Sequence, residues 1–223
     1  MKIVEIKARR KCLTGILFDE EISPKELGAD SDPVGWLALD SELCEIKRLS
    51  IGTEISEDEL QSLIEQSHIK RAKSRAMWYL SRSSLPKAGL IKKLAVAFPD
   101  YAATTAADRM EQLGLIDDNQ YAERKLERLL TEKRVSPKMA RQMLLAEGLD
   151  RETVDVALEN IEQEYETKDS IELIFERKFE GKLNSKKDFD RMFAFFMRKG
   201  FSPADVKSYL REKEIEIIYN EEL

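Results

Sequence analysis

The feature that most constrains the fold of this chain is an internal repeat with a period of about 50 residues. Residues 144–158 and 196–210 share one pattern: a helix ended by Gly, a short turn, and a second helix whose apolar residues fall five, eight and nine positions after Leu149 or Phe201. In both segments the Gly can adopt the left-handed conformation that ends the first helix, and the following Asp or Ser can cap the next one. This pattern is typical of stacked helical units.

Counting back one more period from Leu149 reaches Phe98, so the pattern predicts three units with room for three helices each. The predicted helices lie near residues 68–82, 86–96, 100–113, 118–133, 137–147, 151–163, 168–180, 186–199 and 203–213. A capping box, Ser56 with Glu59, begins a linking helix before them. The first unit matches the other two poorly, so unrelated helices remain an alternative.

The first 55 residues have a different pattern, which favours strands. Residues 3–18 alternate in part and predict a hairpin, a loop rich in Asp, Gly and Pro follows at 28–35, and residues 36–39 with 45–49 predict one or two more short strands. The sequence therefore predicts a mainly α protein with tandem three-helix repeats after a small strand-rich region. The predicted parts are residues 1–55, 56–114 with the linking helix, 115–164, and 165–223 with an acidic tail.

The formal net charge of −6 is distributed unevenly along the chain. Residues 1–66 hold 8 Lys and Arg against 15 Asp and Glu, and residues 100–223 hold 21 against 28. Between them, residues 67–99 carry eight basic side chains and no acid, for a net charge of +8. A solvated helix face is the simplest interpretation of such a run, and contact with phosphates or an acidic protein surface is the functional one.

Several classes of function are disfavoured by what the sequence offers. Two cysteines, Cys12 and Cys44, and one histidine, His68, fall short of a standard zinc-ligand set, and no Gly-rich phosphate loop or Ser-His-Asp triad is indicated. We therefore expect no enzyme activity, cofactor or metal, and a structural role for His68. No apolar run is long enough to cross a bilayer, and Glu5 interrupts any signal-peptide core, so we expect a cytoplasmic protein with no membrane association.

Four strings in the helical region, in this order and spacing, resemble the RecX regulatory proteins. They are Arg75-Ala76-Met77-Trp78-Tyr79-Leu80 followed by Leu90-x-x-Lys93-Leu94; Gly114-Leu115-Ile116-Asp117-Asp118-x-x-Tyr121-Ala122; Leu144-x-x-x-Gly148-Leu149; and Phe195-Phe196-Met197-Arg198-Lys199-Gly200-Phe201-Ser202. The strand-rich start with Leu49-x-x-Gly52-Thr53-Glu54-Ile55 is similar to the longer members, so nearly the whole chain is covered.

The chain departs from the family pattern in the first unit. Pro86 and Gly89 stand where the family usually has a Ser and a Glu that cap the second helix reciprocally, and Phe98-Pro99 replaces the Gly that usually ends it. Because Gly costs up to about 1 kcal/mol inside a helix, this helix is expected to be frayed or shifted.

The resemblance implies a modulator rather than an enzyme. Such proteins form an elongated, curved array of three-helix units, bind RecA recombinase filaments on DNA, and restrain recombinase, ATPase and coprotease activity in DNA repair, recombination and the SOS response. The resemblance further implies weak DNA binding without sequence preference, and we expect a monomer. The contact candidates are the basic residues of the first two units, which we expect to form one surface: Lys70, Arg71, Arg75, Arg82, Lys92, Lys93, Lys133, Arg134, Lys138 and Arg141.

Other motifs have simpler interpretations. Asp117-Asp118 is predicted to cap a helix rather than bind a metal. The aromatic residues at helical spacing are predicted to be core rather than base-stacking platforms: Trp78, Tyr79, Phe175, Phe179, Phe193, Phe195, Phe196 and Phe201. The acidic C-terminal end is predicted to be a solvated tail. A DNA-binding transcriptional regulator with helix-turn-helix-like units remains the alternative function.

Overall fold

A computed structural model of the chain describes residues 1–9, 12–20, 35–162, 167–213 and 215. Most of them are helical, and three strands lie near the N-terminus, so the predicted fold class is confirmed. The chain forms two compact units. The first comprises Met1–Leu85 and Gly89–Ile116, and the second comprises Pro86–Ala88 and Asp117–Leu223.

The three strands form one antiparallel sheet in sequence order: β1 (Ile3–Arg9), β2 (Leu13–Phe18) and β3 (Leu37–Asp40). The predicted hairpin is confirmed, since β1 pairs with β2 from Ile3↔Phe18 to Arg9↔Leu13. Its tip at residues 10–11 lies outside the described residues, as does the predicted loop over positions 28–34. The apolar face of the sheet belongs to a core that includes Ile3, Ile16 and Leu37, each almost fully buried.

The predicted strand at residues 45–49 is wrong, because the chain forms a short helix there. Helix α1 (Ser41–Ile46) begins where the Asp40 carboxylate accepts a hydrogen bond from the Leu43 N–H at 3.0 Å. Leu43 and Cys44 face the core, whereas Ile46 is 65% exposed. The apparent alternation at 45–49 therefore does not correspond to burial, and the cap residue decides the local structure.

Helix α2 (Glu57–Leu80) runs without a break through the predicted linking helix and the first repeat helix. The capping box at its start is confirmed, with Ser56 and Glu59 bonded reciprocally. No Gly or Pro interrupts these 24 residues, so nothing in the sequence ends the helix between the two predicted segments. Its first half packs on the core beside the sheet through Leu60, Leu63 and Ile64, and its second half packs on the next core through Ala72 and Ala76.

Eight further helices lie close to the predicted ones. They are α3 (Lys87–Leu94), α4 (Asp100–Gln112), α5 (Asp118–Thr131), α6 (Pro137–Ala146), α7 (Arg151–Glu162), α8 (Thr167–Lys178), α9 (Lys186–Arg198) and α10 (Pro203–Glu212). Successive groups of three helices each surround one apolar cluster, namely α2 with α3 and α4, α5 to α7, and α8 to α10. The acidic tail, residues 214 and 216–223, lies outside the described part of the chain.

Candidate binding surfaces

The second half of α2 presents basic and aromatic side chains on one face. At about 100° per residue, four side chains fall within a sector of about 60°, on the side of the helix away from the buried Ala76. We call this set the arginine–tryptophan face: Arg71, Arg75, Trp78 and Arg82, the last lying just beyond the helix end.

Trp78 organises this face. Its side chain is 44% exposed, and the guanidinium carbons of Arg82 and Arg75 lie 4.3 and 5.4 Å from its ring centroid. Tyr79 meets the indole edge to face at 5.2 Å. Both arginines are thus held by cation–π contacts while they remain exposed to solvent.

The prediction that Trp78 belongs to the core is therefore wrong. Trp78 lies about 160° around the helix from Ala76, which is buried, so the helical periodicity places it on the arginine side. That geometry was available in the sequence. Tyr79 and all six predicted phenylalanines do line cores, either buried or packed against the buried cluster.

Basic residues of the 67–99 stretch that do not contact Trp78 have different surroundings. Lys92 and Lys93 are exposed on α3, with the Lys93 ammonium 5.6 Å from the Tyr79 ring centroid. The Arg71 guanidinium lies 5.6 Å from the Phe98 ring. Lys70 instead forms ion pairs with Asp40 at 3.1 Å and Glu42 at 2.8 Å. Burial alone would lower the pKa of Lys70, but these two carboxylates raise it, so its charge is stabilised and already compensated.

The second predicted cluster is also divided. Lys133 and Lys138 are exposed and Arg134 is half-buried, whereas Arg141 donates two hydrogen bonds to the Asp155 carboxylate, at 2.6 and 3.0 Å. The bond from Arg141 holds the pKa of Asp155 below its usual range. Arg141 is therefore already matched to an anion, which leaves the other three residues of the cluster as candidate contacts.

The structure adds three basic residues that the sequence interpretation missed. Arg177 and Lys178 from the end of α8 and Lys199 after α9 join Lys133 and Arg134 around one pocket of about 240 Å³ within the second unit. These residues are separated from Lys133 by 44 to 66 positions, so no local pattern connects them. The available signal was the basic last turn of α8 and of α9.

Three residues whose side chains are of the types found in catalytic or metal sites have structural partners here. His68 is 7% exposed, and its Nδ1 lies 2.7 Å from the Tyr101 hydroxyl, which agrees with a structural role. Asp117 caps α5 by accepting from the Gln120 N–H at 2.9 Å, and Asp118 accepts from the Lys87 N–H at 2.8 Å. Asp117 therefore caps its own helix as predicted, whereas Asp118 accepts from the start of α3 instead.

Tyr121, in the longest string of the family pattern, is also structural. Its hydroxyl donates to the Glu147 carboxylate at 2.7 Å, and the Lys125 ammonium lies 2.8 Å from the same carboxylate. Partial burial and the neighbouring carboxylate raise the pKa of Tyr121. The cluster joins α5 to the end of α6, so this motif residue positions helices rather than a ligand.

The chain is similar to a protein of Clostridium tetani named regulatory protein RecX. It is 23% identical over 214 residues, which cover 94% of this chain and 92% of the relative. A protein of the same name from Clostridioides difficile is 22% identical over 179 residues and covers 79% of this chain and 84% of its own length. A crystal structure titled regulatory protein RecX matches with a TM-score of 0.58 at 22% identity, covering 93% of this chain and 98% of that one.

The chain is thus similar to the RecX regulatory proteins over nearly its whole length. A crystal structure of RecX from Lactobacillus salivarius shares the fold at a TM-score of 0.53 and 18% identity, covering 67% of this chain and 98% of that chain. No family model matches the sequence. Within the described residues, no helix is both long and apolar enough to cross a bilayer. Both relatives are named regulatory proteins, and both of these solved structures share the fold of this chain.

Proposed function

We propose that this RecX-like protein binds the RecA filament on DNA and inhibits its recombinase, ATPase and coprotease activities in DNA repair and the SOS response. The observation that carries the proposal is the arginine–tryptophan face, which lies in a 33-residue stretch without a carboxylate. Similarity to the RecX regulatory proteins supports a regulatory role, and the RecX resemblance supplies RecA as the partner.

The chemistry of the face suits a filament that presents both protein and phosphate. Arginine and exposed aromatic residues are enriched in protein interfaces and among the residues that dominate their binding energy. Guanidinium groups also match phosphate geometry better than ammonium groups do. Arg75 and Arg82 are held beside Trp78, so less side-chain entropy is lost when they bind.

The set of contact residues is smaller than the sequence suggested. Lys70 and Arg141 are matched to carboxylates, and removing such a partner would expose an unpaired charge. The proposed contacts are therefore Arg71, Arg75, Arg82, Lys92, Lys93, Lys133, Arg134 and Lys138, together with Trp78. We further propose that the protein is a cytoplasmic monomer without enzyme activity, and that residues 1–55, 56–114, 115–164 and 165–223 are its four structural parts.

The proposal is tested by DNA-dependent ATP hydrolysis of the cognate RecA on single-stranded DNA, with this protein added well below one molecule per RecA. A fall in hydrolysis is expected for the full chain. Charge reversal by Arg75→Glu with Arg82→Glu, or Trp78→Ala, should abolish the fall. The matched control is Lys7→Glu with Lys47→Glu, which changes the charge equally at exposed positions outside the proposed surface.

The result that contradicts the proposal is unchanged ATP hydrolysis at equimolar protein, with the chain shown to be folded by circular dichroism. Protection of a defined DNA site would then favour the transcriptional regulator.

A separate measurement addresses phosphate contact. Arg71, Arg75, Lys92 and Lys93 changed to Ala should reduce the slope of log affinity against log salt by roughly 0.7 per lost contact on single strands and about 0.9 on duplex. An unchanged slope would remove this surface from the proposal.

A further inference from the structure

The basic pocket of the second unit has a charge that its own residues do not balance. Five cationic side chains line it, and its lining carboxylate is that of Glu132. The Glu132 carboxylate accepts from the Arg128 Nε at 2.9 Å and so already has a cationic partner. Across the part of the chain that the structure describes, none of the five cations forms an ion pair with a carboxylate.

The cations converge on one space instead of spreading along a surface. Lys199 is partly buried, and burial together with the charges of Lys178 and Lys133 lowers its pKa. Mutual repulsion of this kind is unfavourable and would be relieved by a bound anion. Phe195, Leu173 and Ile174 form an apolar wall that strengthens the electrostatic interactions inside.

The pocket is built on a backbone junction with several fixed contacts. The Ser136 N–H donates to the Lys199 carbonyl at 2.9 Å, and the Ser136 hydroxyl donates to the Gly200 carbonyl at 2.7 Å. Arg134, at the same junction, has a φ of 49°, a left-handed conformation that is unfavourable for any residue with a Cβ. Arg134 thus combines an unfavourable backbone φ with a side chain that lines the pocket.

Size and charge together limit the ligand. About 240 Å³ is below the roughly 300–1,000 Å³ of pockets for drug-sized molecules. A nucleic-acid strand carries one charge per phosphate, spaced by about 3.4 Å of helix axis along each strand. Because these charges are spread along its length, a strand suits a groove. A short phosphate chain concentrates several charges in one place.

We propose that this pocket binds a short phosphate chain, such as inorganic tripolyphosphate or the triphosphate of a nucleotide. The ligands are the side chains that converge there: Lys133, Arg134, Arg177, Lys178 and Lys199. The site does not depend on the proposed contact with RecA.

The experiment uses the full chain in low salt and measures tripolyphosphate, ATP and a single-stranded oligonucleotide separately by isothermal titration calorimetry. Tripolyphosphate and ATP should bind to the unmodified chain. Arg177→Glu with Lys178→Glu should weaken tripolyphosphate binding by at least about tenfold, because two attractive charges become repulsive. The control is Lys186→Glu with Lys187→Glu, an equal charge change at exposed positions outside the pocket, and it should bind as the unmodified chain does.

Three results would overturn the proposal. In the first, tripolyphosphate fails to bind to the folded, unmodified chain. In the second, both double variants lose affinity equally, which would indicate general attraction by net charge. In the third, only the oligonucleotide binds, and it loses affinity in the pocket variant, which would identify a strand-binding subsite. A higher affinity for tripolyphosphate than for ATP would indicate that the natural ligand is an inorganic phosphate chain, and a higher affinity for ATP would indicate a nucleotide. Either result supports the site. Because RecA is absent, failure here leaves the ATP hydrolysis test of the proposed function unaffected.

Discussion

The middle helix of the first repeat, α3, ends differently from its counterparts α6 and α9. Gly148 follows α6 with a φ of 95°, and Gly200 follows α9 with a φ of 85°. A Cβ at Gly148 would lie 2.6 Å from the Ala88 Cβ, and one at Gly200 would lie 2.5 Å from the Met139 Cβ. After α3, residues 94–99 are all described, and none has a positive φ.

The difference connects glycine to packing between repeats. Ala88 belongs to α3 and Met139 to α6, so each glycine turn lies against the middle helix of the repeat before it. The first repeat follows the sheet region rather than another repeat, and Phe98 occupies its turn, half-buried against the first-repeat core. Termination of the helix thus requires only a turn, whereas the close approach requires a residue without a side chain.

The starts of these helices differ in the same way. Ser136 caps α6 and Ser185 caps α9, each accepting from the N–H three residues later. In α3, which begins directly after Pro86, the Lys87 N–H donates to the Asp118 carboxylate, 31 residues away. The expected fraying of α3 is therefore reduced by a carboxylate from the next repeat, which no local pattern revealed.

The largest effect is expected for Gly200→Ala. The left-handed φ and the clash with Met139 and Ser136 should together cost about 3 kcal/mol of unfolding free energy. Gly181→Ala is the matched control, since its φ is 68° but a Cβ would meet nothing within 4 Å, and it should cost only about 1 kcal/mol. Urea denaturation measures both. Equal losses would mean that close packing contributes nothing beyond backbone conformation.

The two serine caps should also differ. Ser136→Ala should cost about 2 kcal/mol, because the hydroxyl both caps α6 and donates to the Gly200 carbonyl at 2.7 Å. Ser185→Ala removes an exposed cap and an exposed hydrogen bond to the Asp188 side chain, both local to the start of α9, and should cost about 1 kcal/mol. Chemical denaturation of the two variants compares them, and a larger loss at Ser185 would contradict the double role of Ser136.

Asp118→Ala should destabilise the protein by about 1 kcal/mol, because α3 loses the carboxylate that accepts from the Lys87 N–H. Asp118→Asn keeps an acceptor and should lose less. Hydrogen exchange at residues 87–91 should rise in the Ala variant more than in the Asn variant. Equal exchange in both would show that α3 does not depend on the remote cap.

The smallest effect concerns pH. Ser185 donates to the Asp188 carboxylate at 2.6 Å, which lowers the pKa of Asp188. A lowered folded pKa contributes stability above the unfolded value of about 3.9 that is lost as pH falls through the folded value. Asp188→Asn should therefore be less stable than the unmodified chain at pH 7, with the difference shrinking towards pH 3. The α6 cap has Met139 in the equivalent position and should show no such dependence.

Much of the fold could be predicted because its signals are local. Apolar spacing and the cap residues located the helices after residue 86 to within a few positions. The predictions failed where local patterns compete. The 45–49 segment alternates like a strand but is governed by the Asp40 cap, and Trp78 was assigned to the core although its helical position is opposite Ala76.

The candidate sites were predicted less completely. Arg71, Arg75 and Arg82 lie within one stretch of 12 residues and share one helix face, so the charge count found them. The compensation of Lys70 by Asp40 and Glu42, and of Arg141 by Asp155, depends on contacts across 14 to 30 residues. A charge count cannot distinguish a free cation from a paired one, because pairing is a property of distance in space.

The sequence by itself determined the helical repeat, the strand-rich start, the basic stretch at residues 67–99 and the resemblance to the RecX family. Periodicity, caps and composition act over a few residues, and the chain itself carries them. Only the tertiary structure decided that Asp118 caps α3, that Gly200 must lack a side chain, and that Lys133, Lys178 and Lys199 surround one pocket. These features join residues more than 20 positions apart, so they exist only after the apolar cores have brought the helices together.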